Sequence, residues 1–177
     1  CAGLIFCSMP AMAQGIIRDT EIESDLHRMA TPIWQQAGLD ARDIREAVIY
    51  DSAINACVAG GQNIFLYTGL ILDTQDIGEL LGVIAHETGH ITGGHLIRTR
   101  QNMENASMES IIGALAGVAA GVAAGDAGAG MAAITASQQM TLNNLLRNSR
   151  TYEASADQAG LSFLERSGYS AEGTAHF

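Results

Sequence analysis

His86 and His90 stand four residues apart, and Glu87 directly follows the first of them, in the run His86-Glu87-Thr88-Gly89-His90. On a helix, residues i and i+4 lie one turn apart on the same face, so both imidazoles can reach one zinc ion. Glu87 would sit beside that ion, placed to take a proton from a water on the metal. The plainer reading is two buried, hydrogen-bonded histidines with a surface glutamate. Burying two histidines and a glutamate without a metal leaves polar groups to satisfy, which favours the metal.

A catalytic zinc site needs a third protein ligand and an open position. His95 is one candidate. Proteases with a third histidine read H-E-x-x-H-x-x-G-x-x-H; here Gly93 falls on the glycine position, but the place of the third histidine holds Leu96. His95 is one residue short, so it is expected beside the ligands or on the surface, and a metzincin-like reading is disfavoured. Glu153 is the other candidate, in Arg150-Thr151-Tyr152-Glu153-Ala154-Ser155-Ala156-Asp157. Glu153 can complete a His2Glu set. Asp157, one turn on, can accept the free N–H of a ligating histidine, and Arg150, one turn earlier, can hold a carboxylate. An exposed, salt-bridged helix face would look similar. The small residues Ala154, Ser155, Ala156, Ala159 and Gly160 argue instead for a helix pressed tightly against a neighbour.

The elements that must carry these residues follow from periodicity. Residues 16–36 read as a helix with a stripe of Ile22, Leu26, Met29 and Ile33. Asp19 or Thr20 can cap it, Pro32 should kink or reset it, and Gly38 should stop it. Three β-type runs follow at 46–50, 55–58 and 63–67, the last two forming a hairpin about Gly60-Gly61. The helix bearing the two histidines should start near Asp73 or Thr74 and weaken at Gly93-Gly94. Residues 106–137 are nearly all Gly and Ala around 113–133. They read as a close-packed helical hairpin or a mobile flap, in preference to a membrane span, because Asp126 interrupts a short, weakly apolar stretch. A last helix over 141–166 would bear Glu153.

The 177 residues suggest one domain. With 47% hydrophobic and 16% charged residues, the chain is neither a disordered polar polymer nor a multi-span membrane protein. Its nine basic residues are all arginine and its net charge is −10, which excludes the basic footprint that nucleic-acid binding requires. Cys1, Cys7 and Cys57 give neither zinc-ribbon spacing nor a disulfide framework. Residues 1–13 look like the remnant of a signal peptide: an apolar core, Pro10, then the A-x-A site Ala11-Met12-Ala13. Alternatives are a buried N-terminal strand and a lipoprotein Cys1. On the signal reading the catalytic domain spans 14–177, works in the periplasm, and leaves Cys57 as a lone thiol, buried rather than bridged.

HETGH after ELLGVIA, then R-x-x-E-x-x-x-D on a later helix, preceded by Ile54-Asn55-Ala56, Gly60-Gly61 and NIFLYTGLI, resembles one family in three motifs and their order. It is the membrane-associated zinc metallopeptidases of the HtpX, BepA, LoiP, Oma and CAAX prenyl protease type, numbered forty-eight among metallopeptidases. The resemblance covers about 16–169 and points to the periplasmic, BepA-like branch. It implies an α+β, mostly helical, gluzincin-type fold, with the zinc helix and a second ligand helix beside a small sheet whose edge strand lines the cleft. It also implies Zn2+ held by His86, His90 and Glu153, with Glu87 as general base and Asp157 supporting a ligand. A substrate chain would add to the edge strand at 55–58, and Asn55 could steady the oxyanion. Misfolded envelope polypeptides are the implied substrates, and an outer-membrane assembly machinery the implied partner. Peripheral membrane association is a further expectation, and the Gly/Ala segment would act as a lid. Cys57-Val58-Ala59 stands where the family often has an aromatic and a proline, and the family continues past the last helix, which suggests truncation at the C-terminus. His176 is too near the end to assign. The competing reading is a periplasmic chaperone or assembly factor with latent or structural zinc, its fourth position closed by His95 or His176.

Overall fold

Alternating apolar residues in three short runs build most of a four-stranded sheet. The computed structural model describes residues 15–170; the segment expected to be a signal remnant, with Cys1 and Cys7, and His176 at the other end lie outside them. The strands are β1 (Ile16–Ile17), β2 (Arg45–Ile49), β3 (Ala56–Ala59) and β4 (Asn63–Tyr67), in the order β1-β2-β4-β3. β2 and β4 run parallel, with Val48 opposite Leu66; the other pairs are antiparallel. The β3–β4 hairpin turns on Gly60 (φ 57°) and Gly61 (φ 102°), backbone conformations open to glycine. Asn63 closes the turn by donating from Nδ2 to the carbonyls of Ala59 and Gly60. β3 pairs with β4 alone, leaving its outer edge without a strand among the described residues.

The period-2 alternation divides the sheet into two faces. Val48, Ile64 and Leu66 enter the main core, and Ile49, Cys57 and Tyr67 form a smaller cluster with Phe65. Helix α1 (Thr20–Gln36) starts at Asp19, whose Oδ1 accepts the N–H groups of Glu21 and Ile22 at 3.0 and 3.2 Å. It buries Leu26, Ala30, Ile33 and Trp34. Of the expected stripe, Leu26 and Ile33 are buried and Met29 packs against the core, whereas Ile22 is exposed; Ala30 and Trp34 widen it on the other side. Ile16 and Ile17 pair with Ile49 and Val48 instead of opening the helix, because the sheet edge offers backbone partners there. Pro32 stays inside α1. An interior proline costs about 3 kcal/mol, and full burial of the next two residues, Ile33 and Trp34, offsets it.

A short helix α2 (Thr68–Asp73) precedes α3 (Ile77–Thr92), so the histidine helix starts later than 73 or 74. The reason is a reciprocal cap: Asp76 Oδ1 accepts the Glu79 N–H at 3.0 Å, and Glu79 Oε2 accepts the Gln75 N–H at 2.7 Å. α3 sends Leu80, Leu81, Ile84 and Ala85 into the main core. Two long helices complete the chain, α4 (His95–Ala124) and α5 (Ala127–Ser167). The described residues form two units: 15–96 together with 152–170, and Ile97–Thr151.

The second unit is a helical hairpin. Its turn is Gly125 (φ 64°) and Asp126, whose carboxylate accepts the Gly128 N–H at 2.7 Å. The two helices meet on glycines: a methyl group built on Gly130 would lie 2.8 Å from the Gly117 carbonyl oxygen and 3.1 Å from Gly121 Cα. The outward residues Ile111, Ile112, Leu115, Val118 and Val122 are exposed. The Gly/Ala segment is thus helical on both sides of its turn, and the last helix begins at Ala127 rather than 141. The stretch is also not short: α4, at 30 residues, is long and apolar enough to cross a membrane by length and composition.

Candidate active site

Small residues bring α3 and the C-terminal part of α5 into backbone contact. A Cβ on Gly89 would lie 2.6 Å from the Ala156 carbonyl oxygen, and one on Gly160 would lie 3.0 Å from the His86 nitrogen. The expected tight packing of 154–160 is therefore against the histidine helix itself. One turn before Ala156, Glu153 faces the two imidazoles. His86 Nε2 and His90 Nε2 are 3.0 Å apart. Glu153 reaches them with Oε2 at 3.6 Å and Oε1 at 3.7 Å. The three donor atoms lie within 4.8 Å of one another, a group that can hold a metal ion.

The outward nitrogens are also occupied. His86 Nδ1 meets Asp157 Oδ1 at 2.8 Å. An ionised carboxylate only accepts, so the proton of neutral His86 sits on Nδ1 and its Nε2 offers a lone pair inward. His90 Nδ1 meets His95 Nδ1 at 3.1 Å. Two inward imidazole nitrogens and a carboxylate are a donor set suited to a divalent transition metal such as zinc.

Glu87 is buried, near enough to His86, His90 and Glu153 to feel their charges, and the Val58 backbone N–H on edge strand β3 bonds to its carboxylate. Burial pushes the Glu87 carboxyl above the usual carboxylate range, against the pull of His90 and His86. For His86, burial disfavours the charged form, but the facing Glu153 and the charges of Glu87 and Asp157 outweigh it and raise its pKa above 6.5. The same two imidazoles hold Glu153 down at about 2. The site thus pairs one carboxyl held above the usual carboxylate range with another held below it.

Asn55 precedes β3, half-buried, and its carbonyl accepts the Tyr67 N–H at 3.1 Å; among the described residues no contact joins its side chain to the His–Glu group. Arg150 is exposed and makes no ion pair among the described residues. Sequence reasoning missed the Val58 N–H, which no residue type signals. It left His95 open between a place beside the ligands and the surface; the structure has it buried beside His90. The signal was the glycine pair: Gly93 ends α3 and Gly94 (φ 61°) turns the chain, so residue 95 does not continue the face that a longer helix would have given it.

The model of peptidase family M48 matches residues 17–177. A putative beta-barrel assembly-enhancing protease of Vibrio cholerae is 32% identical over 130 residues, covering 73% of this chain and 26% of its own length. The beta-barrel assembly-enhancing protease of Escherichia coli K12 is 30% identical over 122 residues, 69% of this chain and 25% of its own. That of Yersinia pestis is 28% identical over 131 residues, 73% and 26%. The chain therefore spans about a quarter of the length of these relatives. With a family model matching nearly the whole chain, and with the fold and donor set described above, the chain belongs to peptidase family M48.

Proposed function

We propose that this chain is the catalytic part of a zinc-dependent endopeptidase that hydrolyses misfolded or envelope polypeptides. One observation carries the reading: two imidazole nitrogens and the Glu153 carboxylate converge, with the buried Glu87 carboxyl close by under an edge-strand N–H. His86, His90 and Glu153 would hold Zn2+. When bound, the ion supplies Lewis acidity toward a peptide carbonyl and acidifies water. Glu87 takes a proton from the attacking water onto its carboxylate and delivers it to the leaving amine nitrogen; a raised pKa suits both transfers. A substrate strand pairs with the outer edge of β3 through backbone hydrogen bonds, which accommodates varied sequences. Asn55, at the head of that strand, donates its amide to the developing oxyanion. Arg150 has the lesser part of a cation one turn before Glu153.

The relatives are named for beta-barrel assembly, which fits envelope substrates and an outer-membrane assembly machinery as partner for this chain, and a signal peptide over 1–13 would place the domain in the periplasm. The apolar helix of the hairpin supports peripheral membrane association. The test is degradation of an unfolded protein by the zinc-loaded chain and by Glu87→Gln, with metal content measured in both. Glu87→Gln is expected to keep zinc and lose about 10²–10⁴-fold in rate. Equal cleavage by both would remove Glu87 as the base. Zinc in both with cleavage by neither would favour the chaperone reading.

A further inference from the structure

We infer that His95 is the positioning residue for His90, fixing which nitrogen of that ligand faces the metal; this rests on the zinc reading above. The two inward ligands have different supports. His86 has a carboxylate behind it, 2.8 Å from Nδ1. His90 has a second imidazole, 3.1 Å from Nδ1. Unlike the two Nε2 atoms, which face Glu153 across the place a metal would take, the two Nδ1 atoms have only each other, so at that distance one ring donates a proton and the other accepts it. If His90 presents the Nε2 lone pair toward His86 and Glu153, its own proton is on Nδ1. His95 Nδ1 is then the acceptor, and His95 carries its proton on Nε2. Neither ring needs a charge for this.

The surroundings hold His95 in that role. It is 4% exposed. The His90 ring stands edge-on to it at 5.0 Å and 82°. The Tyr152 ring stacks on it at 4.7 Å and 19°. Gly93 leaves the room it occupies, since a methyl group there would run into the imidazole although the backbone (φ −70°) would accept alanine. A residue that missed the third-histidine position by one thus serves the site from behind. Such outer partners of ligating histidines typically contribute about 10–100-fold in metal affinity.

Two substitutions separate hydrogen bonding from packing. His95→Phe keeps an aromatic ring against Tyr152 but removes the acceptor. His95→Asn loses the stack but restores an acceptor close to the former Nδ1. Zinc affinity is measured on the full chain by competition with a chromogenic chelator, and folding is followed by far-ultraviolet circular dichroism. The expected result is a loss of about 10–100-fold in His95→Phe and an affinity nearer wild type in His95→Asn. Wild-type affinity in a folded His95→Phe overturns the inference. If His95→Phe does not fold, Gly93→Ala decides: it keeps His95 but displaces its ring, and unchanged affinity there also overturns the inference. A wild-type chain that takes up no zinc defeats the metal reading itself, a result distinct from either.

Discussion

Among the described residues two helix–helix contacts rest on glycine, and they serve different ends. Between α3 and α5, Gly89 and Gly160 sit against backbone, with Ile84, Ala85, Ala156 and Leu164 buried around them. In the hairpin, Gly117, Gly121 and Gly130 allow an equally close approach, but the surrounding side chains, such as Leu115, Val118, Val122 and Met131, are exposed. In the first contact the packing on all sides fixes the helix spacing, and the spacing fixes Glu153 against two imidazoles. In the second the helices can part slightly without displacing anything else. Close approach alone does not make a site; a filled surrounding is what turns proximity into fixed geometry.

This contrast breaks if the two glycine contacts respond alike. Gly89→Ala is expected to destabilise the chain by about 1–3 kcal/mol, because its methyl group meets Ala156 backbone that cannot retreat. Zinc affinity should fall with it as Glu153 moves. Gly130→Ala meets backbone just as closely, yet the hairpin can spread, and the gain in helix propensity of about 1 kcal/mol offsets the strain. Its net effect should be near zero, with zinc affinity unchanged. Chemical denaturation and chelator competition on both variants decide the matter.

The next effect sharpens the electrostatic side. In metal-free protein, Glu153 has its pKa lowered from 4.5 to about 2, so its contribution is present above pH 4.5 and is lost as pH falls toward 2. His86 is raised above 6.5, so its contribution is full below 6.5 and is lost as pH rises through the folded value. The Tm difference between metal-free Glu87→Gln and the same variant with Glu153→Gln should therefore be greatest between pH 4.5 and 6.5. Using the Glu87→Gln background removes the titration of Glu87. A difference that does not vary with pH would show that the two groups do not couple.

The smallest effect concerns a polar pair in the same unit that does not converge on a third donor. Glu46, its side chain 6% exposed, accepts from His27 Nδ1 at 3.1 and 3.2 Å. Burial raises its pKa, only partly countered by His27. Such a group contributes most below pH 4.5 and costs stability once ionised. Glu46→Gln keeps an acceptor and removes the charge, so Tm at pH 7 should rise by the equivalent of less than about 1 kcal/mol, with no rise below pH 4. A marked fall at pH 7 would mean that the ion pair outweighs burial.

Much of the site was legible because it is written in helical spacing. His86 and His90 share a face by the 3.6-residue period, and Glu153 with Asp157 does so too; the structure brings the two pairs together. The β3–β4 hairpin was legible from Gly60-Gly61, since little else tolerates two consecutive positive φ angles. Other features depend on partners remote in sequence. The capture of Ile16 and Ile17 by β2, the passage of α1 through Pro32, and the N–H that Val58 offers Glu87 are all decided by tertiary packing. The hairpin was legible in its small residues, but its extent was not, because Gly and Ala give no apolar stripe to mark where its helices begin and end.

The stack of Tyr152 on His95 also bears on how the chain folds. His95 is the first residue of α4, and Tyr152 is where α5 rejoins the first unit. Closing residues 97–151 as a featureless loop would cost about 3.5 kcal/mol of chain entropy by the usual logarithmic scaling. Two helices that zip locally from the Gly125 turn remove most of that search, because they draw their own ends together early. The ring stack then latches the exit and return points of the chain. Glu153, the very next residue, is delivered to histidines encoded more than sixty positions earlier by events that are nearly all local.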